Sequence, residues 1–173
     1  MRILKSIGVA VAALALAATV PATAHAATPW GSTTKWHNGK YPTTCLSHRY
    51  DPGFAVPMSP AIGTIEPVVT NTCGAAWDNY QSWTTTQIGD NRFLLSQGVN
   101  GCAAINLLDD IAMLDCSTTN PRLVWSVTGD ATAGYKWKSE YNQLCIRGWG
   151  DYQRTDPESC DQQLPEMTWF PAS

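Results

Sequence analysis

The chain has 173 residues, a formal net charge of −3 and six cysteines. Its eleven Lys and Arg are scattered singly, so no basic stripe exists to serve a nucleic acid or an anionic membrane surface. This length fits one domain with a core of its own.

Residues 1–26 read as a secretory signal peptide. Arg2 and Lys5 give a positive start, Ile7 to Val20 is apolar and uncharged, Pro21 breaks the run, and Ala24-His25-Ala26 is a small-x-small cleavage site. The apolar run is too short to span a bilayer, and nothing after Val20 approaches that length. The mature chain, residues 27–173, is therefore expected to be secreted, with no membrane span. Losing Arg2 and Lys5 takes the net charge from −3 to −5. Export implies an oxidising route, so six cysteines read as three disulfides. A metal site would need clustered spacing such as C-x-x-C; none exists, and His37 and His48 stand alone. No metal and no cofactor are expected.

Residues 27–40 form a polar lead segment carrying Trp30 and Trp36. From about Tyr41 a pattern recurs three times: Cys45, Cys73 and Trp83; Cys102, Cys116 and Trp125; Cys145, Cys160 and Trp169. The tryptophans lie 42 and 44 residues apart, and each follows the second cysteine of its copy by 9 or 10. The copies run over about 41–89, 90–129 and 130–173. Units this small cannot bury their own apolar faces, so they must share one core with approximate threefold symmetry. The same local pairing made three times gives Cys45–Cys73, Cys102–Cys116 and Cys145–Cys160.

The apolar runs are short and strand-like. Arg92–Ser96 and Cys102–Leu107 flank Gly98-Val99-Asn100-Gly101 and read as a hairpin, as do Tyr135–Trp137 and Leu144–Ile146 around a polar turn. Ile111–Cys116 and Leu123–Val127 add strands, and Gly89-Asp90-Asn91 and Gly129-Asp130 mark junctions. No stretch keeps a helical period, so the class is all-β. The first copy carries about 14 extra residues between its cysteines, placed in Arg49 to Ile65 by a cluster of Pro and Gly.

Three copies of about 40 residues, each with a local disulfide and a trailing tryptophan, resemble the ricin B-type lectin family. That family has a β-trefoil fold and a Gln-x-Trp repeat motif. Gln81-Ser82-Trp83 matches in full; Leu123-Val124-Trp125 and Met167-Thr168-Trp169 keep only the tryptophan. The resemblance implies that Trp83, Trp125 and Trp169 pack in the shared core. It also implies a sugar-binding aspartate two residues after each first cysteine. Those positions hold Ser47, Ala104 and Arg147, so the family's galactose-type contact is not carried over.

Sugar rings stack on aromatics while their hydroxyls need planar polar partners. Two segments have that composition. Arg147 to Arg154 offers Trp149, Asp151 and Tyr152 in a glycine-bounded loop. Trp77 to Gln81 offers Trp77 and Asn79, with Gln81 expected to bond local backbone. The competing reading is that these aromatics cap the barrel ends. Catalysis finds no triad around His37 or His48, and Asp109-Asp110 reads as a turn. The expectation is a secreted, non-catalytic binding module, carbohydrate being the leading ligand. The alternative is a protein-binding trefoil, such as a secreted inhibitor or a docking subunit of a secreted enzyme or toxin complex.

Overall fold

The structure is a computed structural model. It describes residues 29–48, 56–57, 64–74 and 78–172, with backbone alone at 56–57, 64–65, 78 and 99. The signal segment, most of the copy-one insertion and Trp77 lie outside the described residues.

Among the described residues sixteen strands follow in chain order. The first copy holds β1 (Thr33–Thr34), β2 (Trp36–Asn38), β3 (Thr44–His48), the short pair β4 (Val56–Pro57) and β5 (Thr64–Ile65), β6 (Val68–Thr72) and β7 (Trp83–Gly89). A four-residue helix, α1 (Asp78–Gln81), precedes β7. The second copy holds β8 (Arg92–Ser96), β9 (Cys102–Ile105), β10 (Ile111–Leu114) and β11 (Trp125–Asp130). The third holds β12 (Gly134–Ser139), β13 (Leu144–Arg147), β14 (Gln153–Arg154), β15 (Asp156–Ser159) and β16 (Trp169–Pro171).

The copies repeat one set of pairings, all antiparallel. In each, the first long strand pairs the cysteine strand, which pairs the next: β2–β3–β6, β8–β9–β10 and β12–β13–β15. The tryptophan strand returns to its own copy's start, in the registers Thr34↔Trp83, Phe93↔Trp125 and Tyr135↔Trp169. It also pairs forward into the next copy through β7–β8 and β11–β12, and β16 closes the ring on β2. The segment read as a lead to the first copy thus supplies strands β1 and β2 of the barrel.

Alternation explains why these residues build a barrel wall. Along β12, Tyr135, Trp137 and Ser139 are buried while Lys136 and Lys138 are half-exposed, the two-residue period of a strand with one wet face. The three motif tryptophans have no exposed surface. Each indole N–H donates to the carbonyl of the residue after the first cysteine of its copy: Trp83 to Leu46 at 2.8 Å, Trp125 to Ala103 at 2.8 Å, Trp169 to Ile146 at 3.1 Å. Removing roughly 200 Å² per ring from water contributes about 5 kcal/mol each at about 25 cal/mol per Å². The disulfides pair Cys45 with Cys73, Cys102 with Cys116 and Cys145 with Cys160.

The threefold pattern breaks at one core position. Phe93 and Tyr135 face their copies' tryptophans, but the first copy has Thr34 there. Trp30 fills the gap from outside the repeat, its ring 4.6 Å from Phe93 and 5.2 Å from Tyr135. Hydrogen bonds from Gly31 N to Thr85 O and from Thr85 Oγ1 to Pro29 O, both 2.8 Å, hold it there.

Three strands fall short of their expected bounds at one end: β10 stops at Leu114 rather than Cys116, β11 starts at Trp125 rather than Leu123 because Pro121–Leu123 forms a tight helical turn, and β9 also ends early. The run from Cys102 was expected to reach Leu107, but β9 stops at Ile105. The Asn106 side chain accepts hydrogen bonds from the N–H groups of Leu108 (2.7 Å) and Asp110 (3.0 Å), which turns the chain. Leu107 and Leu108 are left 65% and 61% exposed at the tip.

Candidate functional site

The loop from Gly148 to Gln153 lies against the first copy, because β14 pairs β6 in the register Gln153↔Thr70 and Arg154↔Val69. Thr70 Oγ1 donates to the carbonyl of Gly150. The N–H of Thr72 donates to Asp151 Oδ1, and that of Thr155 to Val68 O at 3.0 Å. At the loop's base, Gly148 N donates to Glu166 O at 2.9 Å. A Cβ on Gly148 would lie 2.7 Å from Asn38 Nδ2 and 2.8 Å from Thr70 Cγ2, so only glycine lets the backbone pass this close. Further along, Gly150 and Tyr152 take positive φ values of 106° and 55°. For tyrosine that conformation costs on the order of 1 kcal/mol and is held by the surrounding bonds.

These constraints place Trp149, Asp151 and Tyr152 around one cleft of about 600 Å³, with Asp156 at the strand after the loop and Pro67 and Val69 forming the far wall. The volume suits one or two sugar-sized rings. Trp149 and Tyr152 remain 41% and 49% exposed. Trp149 is nevertheless fixed: its indole N–H donates to Asp156 Oδ2 at 2.6 Å, and the Arg147 guanidinium covers one face, 3.6 Å from the ring centroid. Arg147 is held in turn by Glu158 at 3.1 Å. A second hollow, of about 800 Å³, is lined by Lys136, Lys138 and Thr168 among others, but by no aromatic ring.

The described part of the second segment does not line the Trp149 cleft. Trp77 lies outside the described residues, and Asn79, exposed on α1, does not line it. Gln81 is buried and bonds backbone, accepting from Gly74 N (3.2 Å) and donating to Thr72 O (2.8 Å). Of the three positions of the family's sugar aspartate two face inward, and the third, Arg147, is half-buried with its guanidinium over Trp149. Ser47 and Ala104 are fully buried, and Ser47 Oγ bonds the carbonyls of His48 and Tyr80. Sequence reasoning missed Asp156, Pro67 and Val69. Asp156 follows Trp149 by seven residues, within reach of the same loop; the other two belong to the first copy and meet it only through the β14–β6 pairing.

Among the described residues, His37, Cys45 and Cys73 bring a ring nitrogen and two sulfurs within 4.8 Å. Both sulfurs are in the disulfide, so neither is a thiolate that could hold a metal. His48 Nε2 bonds Glu66 Oε2 at the two ends of the copy-one insertion.

The chain aligns with a designed threefold symmetric protein, ThreeFoil, at a TM-score of 0.65 and 10% identity, over 82% of this chain and 98% of that one. The fold is a β-trefoil. A Culex salivary protein of the Cysteine and Tryptophan-Rich family aligns at a TM-score of 0.64 and 13% identity, over 87% of this trefoil chain and 99% of the salivary protein. A Polyporus squamosus lectin, solved with the epitope Neu5Acα2-6Galβ1-4GlcNAc, aligns at 0.63 and 9% identity, over 82% of this chain and 49% of the lectin. The chain therefore spans about half of that lectin's length. No protein-family model matches the sequence, and no curated protein matches it. No helix among the described residues is long and apolar enough to cross a membrane.

Proposed function

We propose that this trefoil is a secreted, non-catalytic carbohydrate-binding module, a diverged relative of the ricin B-type lectins with its site moved off the family's aspartate positions. The observation that carries the reading is the cleft in which Trp149 and Tyr152 stand exposed beside Asp151 and Asp156. A sugar ring would stack on the face of Trp149 that Arg147 leaves uncovered. Its hydroxyls would donate to the two carboxylates, and Arg154 and Gln153 would supply donors at the edge. Because Trp149 is locked by two contacts before any ligand arrives, little ordering cost falls on binding. Lectins among the structural neighbours support the ligand class, and three disulfides support an exported protein.

A screen of the oxidised protein against glycans and polysaccharides tests this. Saturable binding is expected, competed by free sugar and lost in Trp149→Ala without loss of fold. A blank across the screen overturns it.

One observation favours a second reading, a trefoil that docks a secreted protein. Leu107 and Leu108 stand exposed at a turn whose Asp110 lies 4.0 Å from Arg154 at the cleft's edge. On that reading Leu108→Ser abolishes the complex, whereas it leaves sugar retention unchanged on the first.

A further inference from the structure

The charges around the cleft are unequal once their partners are matched. Arg147 is met by Glu158, Arg154 by Asp110, and Glu66, beside the wall residue Pro67, by His48. Asp151 and Asp156 have no cationic partner among the described residues. Each accepts a neutral donor through one oxygen, from the Thr72 N–H and the Trp149 indole respectively, and each is exposed. The aromatic wall is thus bordered by two carboxylates that form no ion pair of their own among the described residues, with Arg147, the cross-strand neighbour of Asp156, engaged by Glu158 and the Trp149 ring, and Arg154 by Asp110. A neutral glycan would use them as acceptors but leave that charge unanswered, and an acidic glycan would be repelled. A sugar with a positive group would meet the carboxylates directly and place its cation beside aromatic rings, which favour it further.

Resting on the carbohydrate reading above, we propose that the ligand is an amine-bearing sugar: a hexosamine unit that lays its ring face on Trp149 and directs its ammonium at Asp156 and Asp151. The acidic balance of the whole chain, −3 formally, adds a long-range pull toward a polycationic glycan.

The test compares two matched probes by calorimetry on the oxidised full chain: a β-1,4-linked glucosamine tetramer with free amines, and the same tetramer fully N-acetylated. The free-amine tetramer is expected to bind about tenfold more tightly at low salt. Raising the salt to about 0.5 M should narrow the gap, since the contact is exposed and screened. Asp156→Asn should narrow it too, because asparagine still accepts the Trp149 indole N–H and keeps the ring in place while losing the charge. Asp151→Asn, which keeps an acceptor for Thr72, makes the same test should the first variant fold poorly. Equal affinity for the two tetramers, or preference for the acetylated one, overturns the proposal and leaves the carbohydrate reading standing. So does binding of neutral glycans through Trp149 with neither tetramer bound. A blank with every glycan overturns both.

Discussion

Trp125→Phe is the sharpest perturbation of the shared core. The indole N–H of Trp125 donates to Ala103 O at 2.8 Å, and the ring has no exposed surface. Phenylalanine keeps an aromatic ring but removes the donor, leaving a buried carbonyl unpaired at about 1–3 kcal/mol. It also leaves a void of roughly 40 Å³, which at about 24 cal/mol per Å³ adds about 1 kcal/mol. The expected loss is about 2–4 kcal/mol, a large part of the roughly 5–15 kcal/mol of an ordinary domain. Guanidinium unfolding followed by far-UV circular dichroism, with the disulfides oxidised, measures it as a lowered midpoint at unchanged slope. Trp83→Phe and Trp169→Phe break the equivalent bonds to Leu46 and Ile146 and should cost similar amounts. A loss below about 0.5 kcal/mol at Trp125 would refute the role given to the indole nitrogen. A spread above about 2 kcal/mol among the three would refute their equivalence.

Three further outcomes follow from the geometry. Gly148→Ala drives a methyl into Asn38, Thr70 and Trp169, all buried, and should cost about 1–3 kcal/mol by thermal unfolding while also weakening sugar retention. Replacing Cys102 and Cys116 by alanine opens a loop of 14 residues and should cost about 3 kcal/mol in denaturant; the same change at Cys45 and Cys73, separated by 28, should cost about 0.6 kcal/mol more. The hydrogen bond from Lys40 holds the Glu166 carboxyl below its ordinary 4.5, and the same bond raises Lys40 above 10.5. That pair therefore stabilises the fold between those limits. Its contribution fades as pH falls through the lowered carboxyl value, or rises through the raised amine value. A pH series of melting temperatures should show a shallower acid-side fall in Lys40→Met than in the parent.

The repeat was readable because its markers are covalent or deeply buried: six cysteines and three tryptophans in register leave little freedom in how the copies meet. The Trp149, Asp151 and Tyr152 cluster was readable because one short loop holds all three. Residues that entered through pairing between copies left no local trace. Val69 reaches the cleft only because β14 lies on β6, and Trp30 reaches the core only because Thr34 leaves a ring's width empty. The turn at Leu107 was hidden because its apolar residues continue a strand-like run, and Asn106, two bonds from one side chain, overrides it. Asn79 stands exposed on α1 outside the Trp149 cleft, and the composition of its segment carries no signal of which part of the surface the helix occupies.

Closure of the barrel by β16 against β2 dictates an order of events. Each disulfide closes within a single copy, over 28, 14 or 15 residues, and can form as soon as that copy is exposed to oxidant. Register Trp169↔Asn38, by contrast, joins the first barrel strands to the last, so it cannot form until nearly the whole chain is present. A nascent chain halted before Trp169 would hold its first covalent loops already locked but present two unpaired strand edges, on β2 and β12, each able to capture β16 of another molecule. A truncated chain has no β16 of its own to donate, so alone it should stay open at this seam, whereas mixed with intact chain it should form pairs in which the intact chain's β16 fills the gap.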